Sequence, residues 1–243
     1  MIYNSQSPRF FIVGVGPGDP DLLTLKAVRI INLVDIIAYP YVSGGKSRAR
    51  DIVTSHITKV HKELPFHLPM EINPSSAQIA YERAAEKIIK HLKSGCSIAL
   101  LCEGDPFFYG SAIHIYTRVA CNFMTCVVPG ISSLTAGPAA AGLPLASRND
   151  VIKILPATLD TTRLEFELEN CEAAIIIKLG RHFDKVSHTI RLKRLEKRAL
   201  LVSTVSHGDQ HIISFDEFYR QNHTGVQPYF SMVLISMHNR VEP

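Results

Sequence analysis

Residues Leu101 to Ala112 read Leu-Cys-Glu-Gly-Asp-Pro-Phe-Phe-Tyr-Gly-Ser-Ala and continue an apolar run that begins at Ser97. The run has the composition of a buried parallel strand. A strand that leaves a sheet into a tight Gly-Asp-Pro turn ends where open α/β domains bind small ligands. Gly104 allows the backbone to approach a ligand closely, and Pro106 stiffens the turn. Asp105 supplies one fixed carboxylate, while Phe107, Phe108 and Tyr109 supply apolar wall. Such a set suits a flat, partly cationic organic molecule better than a phosphate.

Two further loops share this character. Phe10 to Val15 reads as a buried strand that runs into Gly14-Val15-Gly16-Pro17-Gly18-Asp19-Pro20, and Thr125 to Val128 reads as another that ends at Pro129-Gly130-Ile131-Ser132-Ser133. The first loop is not a dinucleotide fingerprint. Its spacing is Gly-x-Gly-x-Gly, Pro17 and Pro20 stiffen it, and no acidic residue for a ribose follows the second strand. No Gly-Lys-Ser/Thr follows, so an ATP P-loop is excluded, and the absence of Gly-x-Ser-x-Gly speaks against a hydrolase elbow.

The elements that must position these loops alternate. Leu22 to Leu33 has helical spacing. Asp35 to Tyr39 is a short strand stopped by Pro40, followed by a loop with Gly44, Gly45, Lys46, Arg48 and Arg50. Ala77 to Leu92 is an amphipathic helix with Ile79, Ala80, Ala84, Ile88 and Leu92 on one face. Strands alternating with helices imply a parallel sheet, whose right-handed crossovers bring the three loops to one edge. Leu134 to Ala141 is a segment of small residues suited to close helix–sheet packing.

A break falls at Gly142-Leu143-Pro144 and Arg148-Asn149-Asp150. Beyond it the pattern gives strands at Val151–Leu155, Ala174–Ile177, Leu200–Val205 and Tyr229–Met237, helices at 162–169 and 182–192, and a hairpin turn at His207-Gly208-Asp209. The expected architecture is α/β with two domains, residues 1–146 on a parallel sheet and 147–243 on a mixed sheet, and a cofactor cleft between them.

Composition sets limits. The 243 residues carry a net charge of +4, with 46% apolar and 20% charged residues, an ordinary globular balance far from a nucleic-acid signature. Five cysteines without a Cys-x-x-Cys suit a reducing cytoplasm. The short polar stretch Met1 to Arg9 is not a signal peptide, and no apolar run reaches membrane-spanning length, so a soluble cytoplasmic protein is expected. His207 and His211, and His61 and His67, lack further ligands for a metal, and none is expected. The basic run Arg191 to Arg198 reads as a solvated helix end. Arg148, Lys153 and Lys178 flank the expected cleft and could meet substrate carboxylates, as could Lys46, Arg48 and Arg50 on a mobile loop.

Taken together, the three loops resemble the tetrapyrrole (uroporphyrinogen/precorrin) methylases. Val13-Gly14-Val15-Gly16-Pro17-Gly18-Asp19-Pro20 with Leu22-Leu23-Thr24-Leu25-Lys26-Ala27 looks like that family's N-terminal signature, Gly104-Asp105-Pro106 like its second loop, and Val128-Pro129-Gly130-Ile131-Ser132-Ser133 like its third. Within the family, Leu101 to Ser111 is similar to the branch that methylates C20 of precorrin-2. So are Ile37-Ala38-Tyr39-Pro40, Leu68-Pro69-Met70 and Ile154 to Leu159; many relatives carry Gly where Glu103 stands.

The resemblance implies a homodimer and S-adenosylmethionine as methyl donor, with precorrin-2 or its cobalt form as the small-molecule acceptor on the way to cobalamin. Neither a nucleic acid nor a membrane is implied as partner, and methyl transfer itself needs no metal. It implies cofactor contacts at Pro17, Glu103, Gly104, Asp105, Phe108, Ser132, Ser133, Leu179 and Val205, although the Gly-Thr usual at the last position is absent here. Substrate contacts are expected at Arg148, Tyr39 and Lys26. The base that removes the C20 proton stays open, as does methylation of another ring carbon, of another substrate such as diphthine, or a binding module without turnover.

Overall fold

Phe10 to Gly14 are five consecutive residues buried on both sides, the state of a central strand covered by helices on each face of a parallel sheet. This is strand β1 (Phe10–Gly14) of a computed structural model that describes residues 10–42, 44–69, 74–221 and 229–236. It is followed by α1 (Leu25–Leu33), β2 (Ile36–Tyr41), α2 (Arg48–Ile52), β3 (Lys62–His67), α3 (Pro74–Lys93), β4 (Ile98–Cys102), α4 (Ile113–Val119) and β5 (Thr125–Val128). All pairings are parallel and the order is β3-β2-β4-β1-β5.

Strand alternation divides the core. Phe10, Ile12, Ile98, Leu100 and Cys102 pack with Ala84, Ile88 and Leu92 of α3 and Ile115 and Val119 of α4. Phe11, Val13, Ala99 and Leu101 pack with Ile30 and Ile31 of α1 and Ala49 and Ile52 of α2.

The remaining residues form α5 (Ser133–Ala140), β6 (Ile152–Pro156), α6 (Thr161–Glu169), β7 (Ala173–Ile177), α7 (Phe183–Leu192), β8 (Ala199–Ser203), β9 (His211–Ser214), α8 (Phe215–Arg220) and β10 (Ser231–Ser236). Their sheet, β6-β7-β10-β8-β9, is mixed: β6 and β7 are parallel, and β10 runs antiparallel to β7 and β8. Its core is built on Phe183, Phe215 and Phe218, with ring centroids 5.3 to 6.0 Å apart.

The chain divides by internal contacts into Met1–Ser132 and Ser133–Pro243, whereas the sequence break lies near residue 146. Packing of α5 accounts for the earlier division. A Cβ on Gly137 would lie 2.9 Å from Met232 Sδ and 3.8 Å from Val205 Cγ2, so this helix of small residues seats against β10 and the end of β8.

Other differences have local causes. The helix expected from Leu22 begins at Leu25, because Pro20–Leu22 form a 3-10 turn and Thr24 caps α1 by accepting from the Ala27 amide. Pro40 does not stop β2. Pairing with β4 ends at Ala38, so the missing amide of Pro40 is not needed there. Beside it lies β3, a strand that the sequence pattern did not give; it contains Pro65 and is the sheet's edge strand, where proline is tolerated. The supposed loop carrying Arg48 and Arg50 is α2, capped by Ser47, and α4 and α8 are short helices that the spacing did not suggest. The expected turn at His207-Gly208-Asp209 lies within the 204–210 connection between antiparallel β8 and β9. Met70 of the Leu-Pro-Met motif lies outside the described residues.

Candidate functional site

Since β4, β1 and β5 are parallel neighbours, their following loops meet at one edge of the first sheet. The first two loops are joined by main-chain bonds. The Val15 amide donates to the Cys102 carbonyl (2.9 Å), Gly104 to Gly16 (2.8 Å) and Gly16 to Gly104 (3.4 Å). The third loop presses against both. A Cβ on Gly14 would sit 2.5 Å from the Gly130 nitrogen, and one on Gly130 would sit 2.1 Å from the Gly104 oxygen, so three backbones touch where only glycine fits. Gly104 itself differs. Its φ is +63°, but a Cβ there would meet nothing nearer than Ser132 Cα at 4.0 Å. Its missing side chain leaves open space beside the third loop, which makes this the position from which a ligand can be cradled by main chain.

Asp105 closes the arrangement from within. Its Oδ1 accepts from the Phe107 amide (2.9 Å) and its Oδ2 from the Gly130 amide (3.2 Å). The carboxylate expected as a fixed group facing a ligand is engaged on both oxygens by the loops themselves. Pro17 and Ser132 are half-buried in the first and third loops, and Ser133 opens α5. Phe107, Phe108 and Tyr109 are about half exposed, at 48%, 45% and 50%. Phe107 lies edge-on to Tyr116, Phe108 edge-on to Tyr109, and Tyr109 takes a positive φ of 58°.

Two polar groups flank these loops. Glu103 is half-buried, and loss of water pushes its carboxyl up to about 7 against the opposing pull of the Arg48 guanidinium on α2. At the neighbouring end of β2, the Tyr39 hydroxyl donates to Glu63, which also accepts from Arg50 Nε (3.0 Å) and Nη2 (2.9 Å). Tyr39 is pushed up to about 12 by burial and by Glu63, and its hydroxyl bond chiefly holds Glu63 below the usual carboxylate range. Both Tyr39 and Arg50, expected to face substrate, thus have a partner in Glu63. Lys26 is half-buried on α1.

In the second unit, Leu179 is fully buried in the core and Val205 is 4% exposed. Only their main-chain atoms remain for a ligand. Each follows a non-glycine residue with positive φ, Lys178 at 62° and Thr204 at 49°, so both strand ends turn sharply. Arg148 is exposed at φ 49°, in a turn closed by the Ser147 amide donating to Asp150 Oδ2 (2.6 Å). Lys153 is ion-paired with Glu167, which occupies the ammonium that the sequence suggested for substrate.

Sequence reasoning missed Gly14 and Gly130 as a contact pair and Glu63 as a partner. The first had a signal in glycines placed immediately after two buried strands; the second had none, because the sequence pattern did not give β3 itself. Among the described residues no three His, Cys, Asp or Glu side chains are gathered as a metal site, and no helix is long and apolar enough to cross a membrane.

Residues 9–217 match the family model described as Tetrapyrrole (Corrin/Porphyrin) Methylases. The chain belongs to the tetrapyrrole methylases. It is 34% identical over 235 residues to a Precorrin-2 C(20)-methyltransferase of Sinorhizobium, covering 93% of this chain and 94% of that one. It is also 34% identical to the Cobalamin biosynthesis protein CobIJ of Mycobacterium bovis, covering 92% of this chain but only 45% of the mycobacterial protein, so the chain spans less than half of that relative. In fold it is similar to a Uroporphyrin-III C-methyl transferase of Thermus thermophilus complexed with S-adenyl homocysteine, with a TM-score of 0.67, 20% identity, and coverage of 93% and 91%. The tetrapyrrole methylase match spans all three loops and all of the first sheet.

Proposed function

We propose that this tetrapyrrole methylase transfers the methyl group of S-adenosylmethionine to C20 of precorrin-2, giving precorrin-3A, in cobalamin biosynthesis. The near full-length similarity to the Sinorhizobium C20-methyltransferase carries the choice of acceptor. The three-loop cradle supports the choice of donor. The open position at Gly104 and the aromatic wall at Phe108 fit a folded nucleoside whose sulfonium is favoured beside aromatic faces. When bound, S-adenosylmethionine supplies an activated methyl group.

The protein's own part is placement. In this reading the main chain at Pro17 and Gly104 and the Ser132 and Ser133 residues hold the donor, Asp105 keeps the second and third loops in register, and Phe108 excludes water. Orientation alone can contribute roughly 7–11 kcal/mol to such a two-reactant step. Arg148 and Lys26 are assigned to the carboxylates of the macrocycle, and the protein is assigned as a homodimer, which sedimentation measures directly.

The decisive experiment supplies methyl-labelled S-adenosylmethionine with precorrin-2 in one arm and cobalt-precorrin-2 in the other, and locates the label by NMR. Label at C20 is the expected result, and the arm that turns over identifies the acceptor form. Label on another ring carbon would assign a different family reaction. Binding of both ligands without transfer would refute the enzyme reading.

A further inference from the structure

Among the described residues, three acidic side chains near the loop edge of the first sheet are already engaged. Asp105 accepts the Phe107 and Gly130 amides, Glu63 accepts from Tyr39 and Arg50, and Asp19 accepts the Asp21 amide (2.9 Å). The Glu103 carboxylate accepts no hydrogen bond from any described residue. Glu103 is the first residue beyond β4, and the charged group that bears on its carboxyl is the Arg48 guanidinium of α2. It is fixed at its base by the Val15–Cys102 and Gly16–Gly104 main-chain bonds on either side. A half-buried carboxyl is thus held beside the open position at Gly104, with one cation near it and its oxygens unspent.

Resting on the reading above, we propose that Glu103 is the group that takes the proton from the methylated ring carbon, and that Arg48 is its positioning partner. The balance is simple. One carbon–carbon bond forms at the ring carbon as one carbon–sulfur bond breaks, with its pair kept by sulfur. The carbon–hydrogen pair then returns to the macrocycle and the proton passes to a Glu103 oxygen. No outside oxidant or reductant is required.

The environment suits the task. Burial brings the carboxyl to about 7, so it is ionised for part of the population near neutrality yet basic enough to accept a proton. The charged group bearing on it from α2 is Arg48; on its own strand the Cys102 thiol is neutral, pushed up to about 12, and on its own loop Asp105 is turned to the amides.

The test uses Glu103→Gln and Arg48→Met in the full chain, with circular dichroism to establish folding. Wild-type kcat should rise with pH to a plateau through a limb near 7, because the ionised form is the acceptor. Glu103→Gln should lower kcat about 10²–10⁴-fold, the usual worth of a positioned base, and abolish the limb while calorimetric affinity for S-adenosylhomocysteine changes less than about threefold. Arg48→Met should move the limb to higher pH, since a favourable cation is lost, whereas a merely structural arginine would leave it in place. Infrared titration of the free protein gives a readout without turnover: one carboxyl band titrating near neutrality should vanish in Glu103→Gln.

Methyl transfer by wild type with an unchanged rate or limb in Glu103→Gln would overturn this inference alone. Loss of S-adenosylhomocysteine binding in that variant would overturn it in favour of a cofactor ligand. Failure of the wild type to methylate either acceptor would remove both the proposed function and this inference with it.

Discussion

The backbones of Gly14, Gly104 and Gly130 meet, yet alanine at Gly130 and at Gly104 should fail in different ways. At Gly130 a Cβ would lie 2.1 Å from the Gly104 carbonyl oxygen, so the second and third loops must part by about 0.9 Å merely to reach 3.0 Å. That movement strains the Gly130–Asp105 bond, already 3.2 Å, and the reciprocal Gly104–Gly16 pair. Losing the charge-assisted bond and one of the two neutral bonds costs about 2–4.5 kcal/mol. For a chain of this size that lowers Tm by roughly 4–18 °C. At Gly104 the added methyl meets open space, and the cost is confined to holding alanine at φ +63°, about 1–2 kcal/mol. Gly104→Ala should therefore stay folded at 25 °C with the smaller fall in Tm, yet bind S-adenosylhomocysteine at least about tenfold more weakly by calorimetry. Gly130→Ala with wild-type Tm would mean the loops do not touch. Gly104→Ala with wild-type affinity would mean that the open position is not where the donor lies.

Three further outcomes follow from the same geometry. The neutral Glu103 carboxyl is the favoured form in the fold. Its stabilisation is complete below the ordinary value of 4.5 and is lost as pH rises through about 7, so Glu103→Gln should gain up to about 3 kcal/mol over wild type at pH 8 and nothing at pH 4 in urea titrations. Asp105→Asn can accept only one of the two amides and turns a donor toward the other; about 1.5–3 kcal/mol should be lost, with faster hydrogen exchange of the Gly130 amide, and unchanged exchange there would refute the clasp. Arg148→Ala should raise the KM for the tetrapyrrole roughly ten- to hundredfold and leave cofactor affinity intact, whereas a fall in Tm with unchanged kinetics would assign the residue to its turn alone.

The loops were legible because each announces itself locally, as a dense Gly/Pro cluster directly after a short apolar run. The parallel sheet was legible from alternation of strands and helices, and adjacency of β4, β1 and β5 then followed at the loop edge. What stayed hidden depends on distance. Nothing near Asp105 in sequence says that its second oxygen is claimed by an amide 25 residues away, and nothing near Tyr39 points to Glu63, whose strand contains a proline. The same holds for Glu103 and Asp105, two acids in one turn that composition treats alike. The bend at Gly104 sends Asp105 back onto main-chain amides, where its charge is spent on loop register. Glu103, one residue beyond the strand, stays half-buried under the influence of the α2 guanidinium, and burial leaves its carboxyl near neutrality. The chemical difference between them comes from one glycine with a positive φ, and it becomes visible only when the turn is built.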